Sequence, residues 1–415
     1  MKRSNSVLDD EIATELRVLG LENDPDATRV AGKQVAERLA QEIKLPLTEG
    51  FLVARDQSHL LDRFWSAADS PDMESFQWAD WATHGVPYES RQIAVSVLMD
   101  CVKHSETSLI LSGLGLTCLP SNLPENLEVL DLEGNELTEI PSSLPRGLRE
   151  LNLKGNRLTV LPDDLPDSLL ALNVSGNQLL TLPARLPGGL LSLTAAHNRL
   201  RHLPHQLPPR LRYLNVSDNQ LTCLPGTMPV ELVTIYAQEN HLTTLPDQLP
   251  SAVEVLWVDE NELTALPQRL PTSLLTLSAK NNSLEALPDH LPIHLTFLAV
   301  SLNRLTHLTY DLPVTLTLVD ASFNSIAKWP RRLPAALVEL NMEGNRLTEV
   351  PTDWPRDLER AILSKNQIES LPEHVFYHLH GAHLRLADNP LTSRTIAAIE
   401  AGNIDSADAG SIISI

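Results

Sequence analysis

Four histidines near the C-terminal end, His374, His378, His380 and His383, form the one dense cluster of titratable side chains in this 415-residue chain. His374 and His378 would share a helix face, as paired metal ligands do, but no acidic ligand stands at helical spacing to complete a set. Solvated histidines on a terminal repeat are the plainer reading, and neither metal nor other cofactor is expected. Three cysteines, Cys101, Cys118 and Cys223, offer no zinc spacing and no disulfide framework, and their scarcity fits a reducing compartment. Gly134, Gly155, Gly176 and Gly344 recur beside an asparagine column and read as turn residues, not as a phosphate cradle. No nucleophile, base and oxyanion donor fall together, so no catalytic residue is assigned and the chain is read as a non-enzyme.

The chemistry that remains is recognition. Tyr213, Tyr236, Trp257 and Phe297 fall in the columns flanking a repeated L-x-L, with Glu239, Asp259 and Asp320 near them. Tyr and Trp dominate binding hot spots, and acids steer basic partners. The expectation is an aromatic stripe exposed on a strand face, where Trp257→Ala with Tyr236→Ala removes partner capture and leaves the thermal midpoint nearly unchanged. The competing reading is that cross-strand aromatic neighbours only stabilise the sheet.

The elements that must position these side chains come from a repeat. Asn135, Asn156, Asn177, Asn198, Asn219, Asn240, Asn261, Asn282, Asn303, Asn324, Asn345 and Asn366 follow one another at intervals of 21 without a slip. One unit carries Leu148, Leu151, Leu153, Asn156, Leu158, Leu161, Pro162, Leu165 and Pro166. The L-x-L centre alternates as a short strand does. Asn can satisfy backbone donors and acceptors in the turn that follows, and stacked copies make a ladder. Two proline columns, Pro120 to Pro372 broken only by Thr309 and Pro124 to Pro355 unbroken, hold most of the 30 prolines. They exclude helix and central strand from the return path and make it extended. Six apolar side chains per unit, worth roughly 1.5–3 kcal/mol each when buried, do not offset about 1–2 kcal/mol of backbone entropy per residue. A unit therefore folds only against its neighbours. The predicted architecture is a right-handed, curved solenoid of about thirteen parallel strands at ~4.8 Å spacing.

The flanks divide the chain into a leader over 1–55, a helical cap over 56–105, the repeats over 106–391, and a short helix with a tail over 392–415. An amphipathic stretch, Ala27, Val30, Ala31, Val35, Leu39 and Ile43, lies in the leader. Helical stretches follow at 58–69, 74–83 and 89–103, and Trp65, Trp78 and Trp81 belong to the cap's own core. The formal charge of −21 argues against nucleic acid as a partner. No apolar run reaches the length of a transmembrane helix, and MKRSNSVLDDEI lacks the apolar core of a secretory signal.

Three segments carry a resemblance: FQWADWATHGVPYESRQIAVSVLMDCVKH with LILSGLGLTCLPSNLP, the Pro-rich repeat itself, and the exit DNPLTSRTIAAI. Over roughly 74–400 the chain resembles the bacterial type III-secreted leucine-rich-repeat effectors, the group of the IpaH, SspH and SlrP ubiquitin ligases and the shorter YopM. The resemblance implies an α/β leucine-rich-repeat solenoid with parallel concave strands, a Pro-rich convex side and an N-terminal helical cap. It implies secretion into the host cell cytoplasm, a host protein on the concave face and a secretion chaperone at the N-terminus; self-association stays open. The ligases' Cys-Glu-Asp motif has no counterpart, since Val102, Leu119 and Leu224 follow the three cysteines. The alternative is the substrate-recognition portion of such a ligase without its catalytic domain.

Overall fold

The computed structural model describes residues 73–351, 353–372, 375, 382–405 and 412–415. The chain divides into two units, Met1–Phe76 and Gln77–Ile415, and the fold described is that of the second. The helical stretches expected at 27–43 and 58–69, and three of the four clustered histidines (His374, His378 and His380), lie outside the described residues.

Two helices, α1 (Met73–Thr83) and α2 (Arg91–Lys103), precede the repeats. Fifteen three-residue strands follow in one parallel sheet whose spatial order is the chain order. The first thirteen, β1 (Ser108–Ile110) to β13 (Arg360–Ile362), recur every 21 residues, and β14 (His383–Arg385) comes after a longer step. Consecutive strands pair residue for residue, as in Leu151 with Leu172, so each unit stacks on the last without shear. The middle residue of each strand from β1 to β14 points inward and is buried. Around one coil Leu148, Leu151, Leu153, Leu158, Leu161 and Leu165 are all buried, which makes the core a bundle of leucine columns.

The asparagines hold the coils together. Asn156 Oδ1 accepts the Leu137 N–H at 3.0 Å, and its Nδ2 donates to the carbonyls of Leu132 and Leu153 at 2.9 and 3.0 Å. The same offsets recur at Asn240, which serves Leu221 N–H and the Val216 carbonyl. Each side chain thereby satisfies backbone groups of its own repeat and of the one before, groups that would otherwise be orphaned in the interior. Immediately before each of these asparagines the backbone turns through positive φ, with glycine in some repeats and His197, Asp218, Glu239, Glu260, Asn281, Leu302, Phe323 and Lys365 in others.

At the first repeat the turn between the helices is bonded to the coil. Arg91 is buried; its Nε lies 2.8 Å from Glu89 Oε2, and its Nη1 donates to the Trp81 carbonyl. Glu89 Oε1 accepts both the N–H and the hydroxyl of Thr117 at 2.6 Å. Burial opposes ionisation of Glu89, but hydrogen bonds from Thr117, Arg91 and the Val86 N–H outweigh it and lower its pKa to about 2. Cys118 is also engaged, with Arg91 Nη2 3.1 Å from its Sγ.

The C-terminal end departs from expectation. After α3 (Ser393–Asp405) the small-residue tail does not simply trail away: β15 (Ile412–Ser414) pairs with β14 as the last strand. Ile413 is buried, so its apolar side chain supplies the reason for this addition. The sheet thus has fifteen strands where about thirteen were expected.

Candidate functional site

The first and third residues of each strand point away from the leucine core and form the strand face. In the third column Asp131, Asn152, Asn173, Asn215, Asp320 and Asn341 each accept the N–H two residues further on, at 2.9–3.2 Å. This short side-chain bond closes the turn out of the strand. Tyr236 in β7 (Thr234–Tyr236) and Trp257 in β8 (Val255–Trp257) occupy the same column and cannot make it.

These rings pair with each other instead. Tyr236 and Trp257 are register partners with ring centroids 5.4 Å apart at 82°. Tyr213, at the start of β6 (Tyr213–Asn215), meets Tyr236 edge-on at 5.7 Å and 65°. Phe297, in β10 (Phe297–Ala299), stands apart, separated from Trp257 by β9 (Thr276–Ser278). The structure therefore brings three of the four aromatics together.

It also corrects how they are displayed. Tyr236, Trp257 and Phe297 are only 4%, 2% and 6% exposed, and Tyr213 alone is half-buried. Edge-to-face rings at strand spacing cover one another, so the expected open stripe is a packed ladder with one accessible end. The Trp257 indole N–H is buried and has no hydrogen-bond partner among the described residues.

The acids divide as well. Asp259, expected at the surface, is buried: its carboxylate accepts the Ser278 hydroxyl at 2.6 and 2.8 Å and the Lys280 N–H at 2.6 Å. Ser278 stands in the column where other repeats place Asn or Asp, and Asp259 reaches from the preceding repeat to close that turn. Burial pushes its pKa up to about 6, against the hydrogen bonds from Ser278 and Lys280. Asp320 is partly buried, bonded to Ser322 and 3.5 Å from Lys280 Nζ. Glu239 lies off the strand, exposed on the turn, its pKa raised by partial burial and by Glu260 and Asp218. The Asn and Asp of the third column were the overlooked signal: once their turn bond is recognised, Tyr236 and Trp257 stand out as replacements.

Among the described residues no group of three or more His, Cys, Asp or Glu could hold a metal. No described helix is long and apolar enough to cross a membrane.

The Leucine Rich Repeat family profile matches residues 126–146 and 147–167. The E3 ubiquitin-protein ligase IpaH3 of Shigella flexneri is 32% identical over 91 residues, which is 22% of this chain and 15% of the ligase. The E3 ubiquitin-protein ligase SlrP of Salmonella typhimurium is 37% identical over 72 residues, 16% of this chain and 9% of its own length. Both alignments thus span a small part of the ligases. The solved structure of YopM, a leucine-rich effector protein from Yersinia pestis, matches with a TM-score of 0.66 at 34% identity, over 82% of this chain and 99% of that one. A leucine-rich-repeat protein of Leptospira interrogans shares the fold at a TM-score of 0.61 and 23% identity.

Proposed function

This chain belongs to the leucine-rich-repeat effector family that includes IpaH3, SlrP and YopM, and from that premise we propose that it acts by binding a host protein on its strand face, without catalysis of its own. The supporting observation is the exchange in the third strand column. Tyr236 and Trp257 give up a turn-closing bond that six other repeats make, and Trp257 leaves an indole N–H unpaired at a cost of about 1–3 kcal/mol. Six other repeats fill this position with Asn or Asp, so a coil does not require a ring there, even though these rings are packed where they occur. Their presence therefore serves recognition: Tyr213 makes the contact, and Tyr236 and Trp257 hold its ring in place. Phe297, Asp259 and Asp320 support the same face from within, while Glu239 at its edge favours a basic partner.

Delivery through a type III apparatus to the host cytoplasm, with the leader over 1–55 carrying the signal and the chaperone contact, belongs to the same reading. The test is capture from host-cell lysate by the full chain and by Tyr213→Ala. Loss of the partner with unchanged unfolding supports strand-face binding; full retention removes Tyr213 and the ladder behind it.

The two ligase matches favour a second reading, in which the solenoid selects substrates for ubiquitin transfer. A ubiquitination assay on this chain alone tests the absence of catalysis, and the same assay with a relative's catalytic domain fused after the solenoid tests substrate selection. Our reading expects no product from the chain alone, and polyubiquitin chains there would replace it.

A further inference from the structure

Along the exit edge of the sheet runs the column of positive-φ turn residues. Gly134, Gly155, Gly176 and Gly344 fill it where the conformation is free of cost. Two successive repeats instead place Leu302 and Phe323 there, at φ +55 and +51, with the side chains 51% and 43% exposed. Bulky residues are uncommon in this conformation, and apolar ones gain nothing from facing water. The turn survives because the stacked backbone imposes it: Leu302 N–H donates to the Ser322 carbonyl at 2.9 Å and Phe323 N–H to that of Glu343 at 2.6 Å. Gly134 and Gly344 make the equivalent bonds, so glycine would serve the fold equally well.

The same edge is acidic two repeats earlier. Asp218, Glu239 and Glu260 occupy consecutive positions of the column, Glu239 and Glu260 exposed and the Asp218 side chain half-exposed. Asp218 Oδ2 lies 2.6 Å from His197 Nδ1, and His197 also partly offsets the repulsion felt by Glu239. Partial burial and repulsion from Glu260 and Asp218 raise the pKa of Glu239, a penalty that an approaching cation relieves. Asn281 separates this acidic run from Leu302; Arg304 is exposed near Leu302, and Lys365, paired with Glu343, holds its Nζ 5.4 Å from the Phe323 ring centroid and leaves part of that ring open.

We propose that this edge is a second interaction surface, which docks an amphipathic helix of a protein partner through basic residues on Asp218, Glu239 and Glu260 and apolar residues on Leu302 and Phe323. Spacing favours a helix: strands lie about 4.8 Å apart and a helix advances about 5.4 Å per turn, a drift of about 0.6 Å per repeat and about 3 Å from Asp218 to Phe323 that long side chains span. Alternate residues of an extended peptide, about 6.6 Å apart, fall out of step within three repeats. The charge order selects the occupant, basic in its first three turns and apolar two turns later. The strand-face aromatics take no part; Glu239 borders both surfaces, and Leu302 and Phe323 belong to the edge alone.

The probe is a synthetic helical peptide of about 20 residues, with lysines on one face of its first three turns and leucines on the same face of its last two. A control peptide of equal composition exchanges lysine and leucine positions. Fluorescence anisotropy with the full chain is expected to show binding of the first peptide at least about tenfold tighter than of the control, and weakening with salt. Leu302→Asn with Phe323→Gly should abolish it while the unfolding midpoint stays within a few degrees or rises, because both residues suit positive φ. Asp218→Asn with Glu239→Gln and Glu260→Gln should remove the salt dependence. Trp257→Phe should leave peptide binding intact. Equal binding of both peptides, or binding that survives the Leu302 and Phe323 changes, would overturn the proposal, as would no binding by the unaltered chain.

Discussion

The ring of Phe323 fills the space that a side chain on Gly344 would need: a Cβ built on the glycine falls 2.7 Å from Phe323 Cδ1. Gly344 also sits at φ +65, where an L side chain costs about 1–2 kcal/mol. Gly344→Ala is therefore expected to lose more than this backbone cost of about 1–2 kcal/mol in urea unfolding and to swing the Phe323 ring outwards. Combining it with Phe323→Gly should leave only the backbone part of the loss, a non-additivity that a double-mutant cycle measures.

Trp257→Ala empties a site that is 98% hidden from solvent by residue area, since the ring is only 2% exposed. The expected loss is about 3–5 kcal/mol, the usual cost of deleting a buried aromatic. This replaces the expectation from sequence that the midpoint would hardly move. Trp257→Phe keeps an aromatic ring and removes the unpaired indole N–H, and it should cost far less.

Asp259 gives a pH signature near neutrality. Its folded pKa of about 6 lies above the unfolded value, so its contribution is most favourable below about pH 4 and falls as the pH rises through 6. Asp259→Asn should flatten that part of the stability–pH curve and leave the protein at least as stable as the parent at pH 7.5. A larger loss at pH 7.5 than at pH 5 would show that the ionised carboxylate is the stabilising form.

Glu89 has the opposite sign. A folded pKa near 2 means that its contribution is complete above the ordinary carboxylate value and is lost as the pH falls towards 2. Glu89→Gln keeps one acceptor for Thr117 but removes the charge beside Arg91. It should loosen the turn between α1 and α2, seen as faster hydrogen exchange at Thr117, and remove this acid-sensitive contribution.

Much of the solenoid could be read from residue types. The interval between asparagines placed every strand from β2 to β13, because a leucine pair and a turn asparagine leave no second register in which the core stays apolar. The aromatic ladder could not be read in this way. Side-chain alternation tells which column Trp257 occupies, but its burial depends on Tyr236 one repeat earlier, a contact 21 residues away in the chain. Asp259 was misplaced for the same reason: its partners Ser278 and Lys280 lie in the next coil. The strand Ile412–Ser414 escaped notice because three small or apolar residues in a tail carry no period. Its place depends on the unpaired edge of His383–Arg385, which only the assembled sheet supplies.

The asparagine bonds tie each coil to the one before it by fixed offsets, so the register of the whole array is copied from unit to unit. Unequal recombination that adds or removes 21 codons would rejoin every donor to an equivalent acceptor, whereas any other length has to be absorbed within one return path, as in the longer step before β14, where Asn389 still accepts the Ile368 N–H. The length of this array can therefore drift in whole coils during descent, carrying the aromatic and acidic stations towards or away from either end without redesigning the interior.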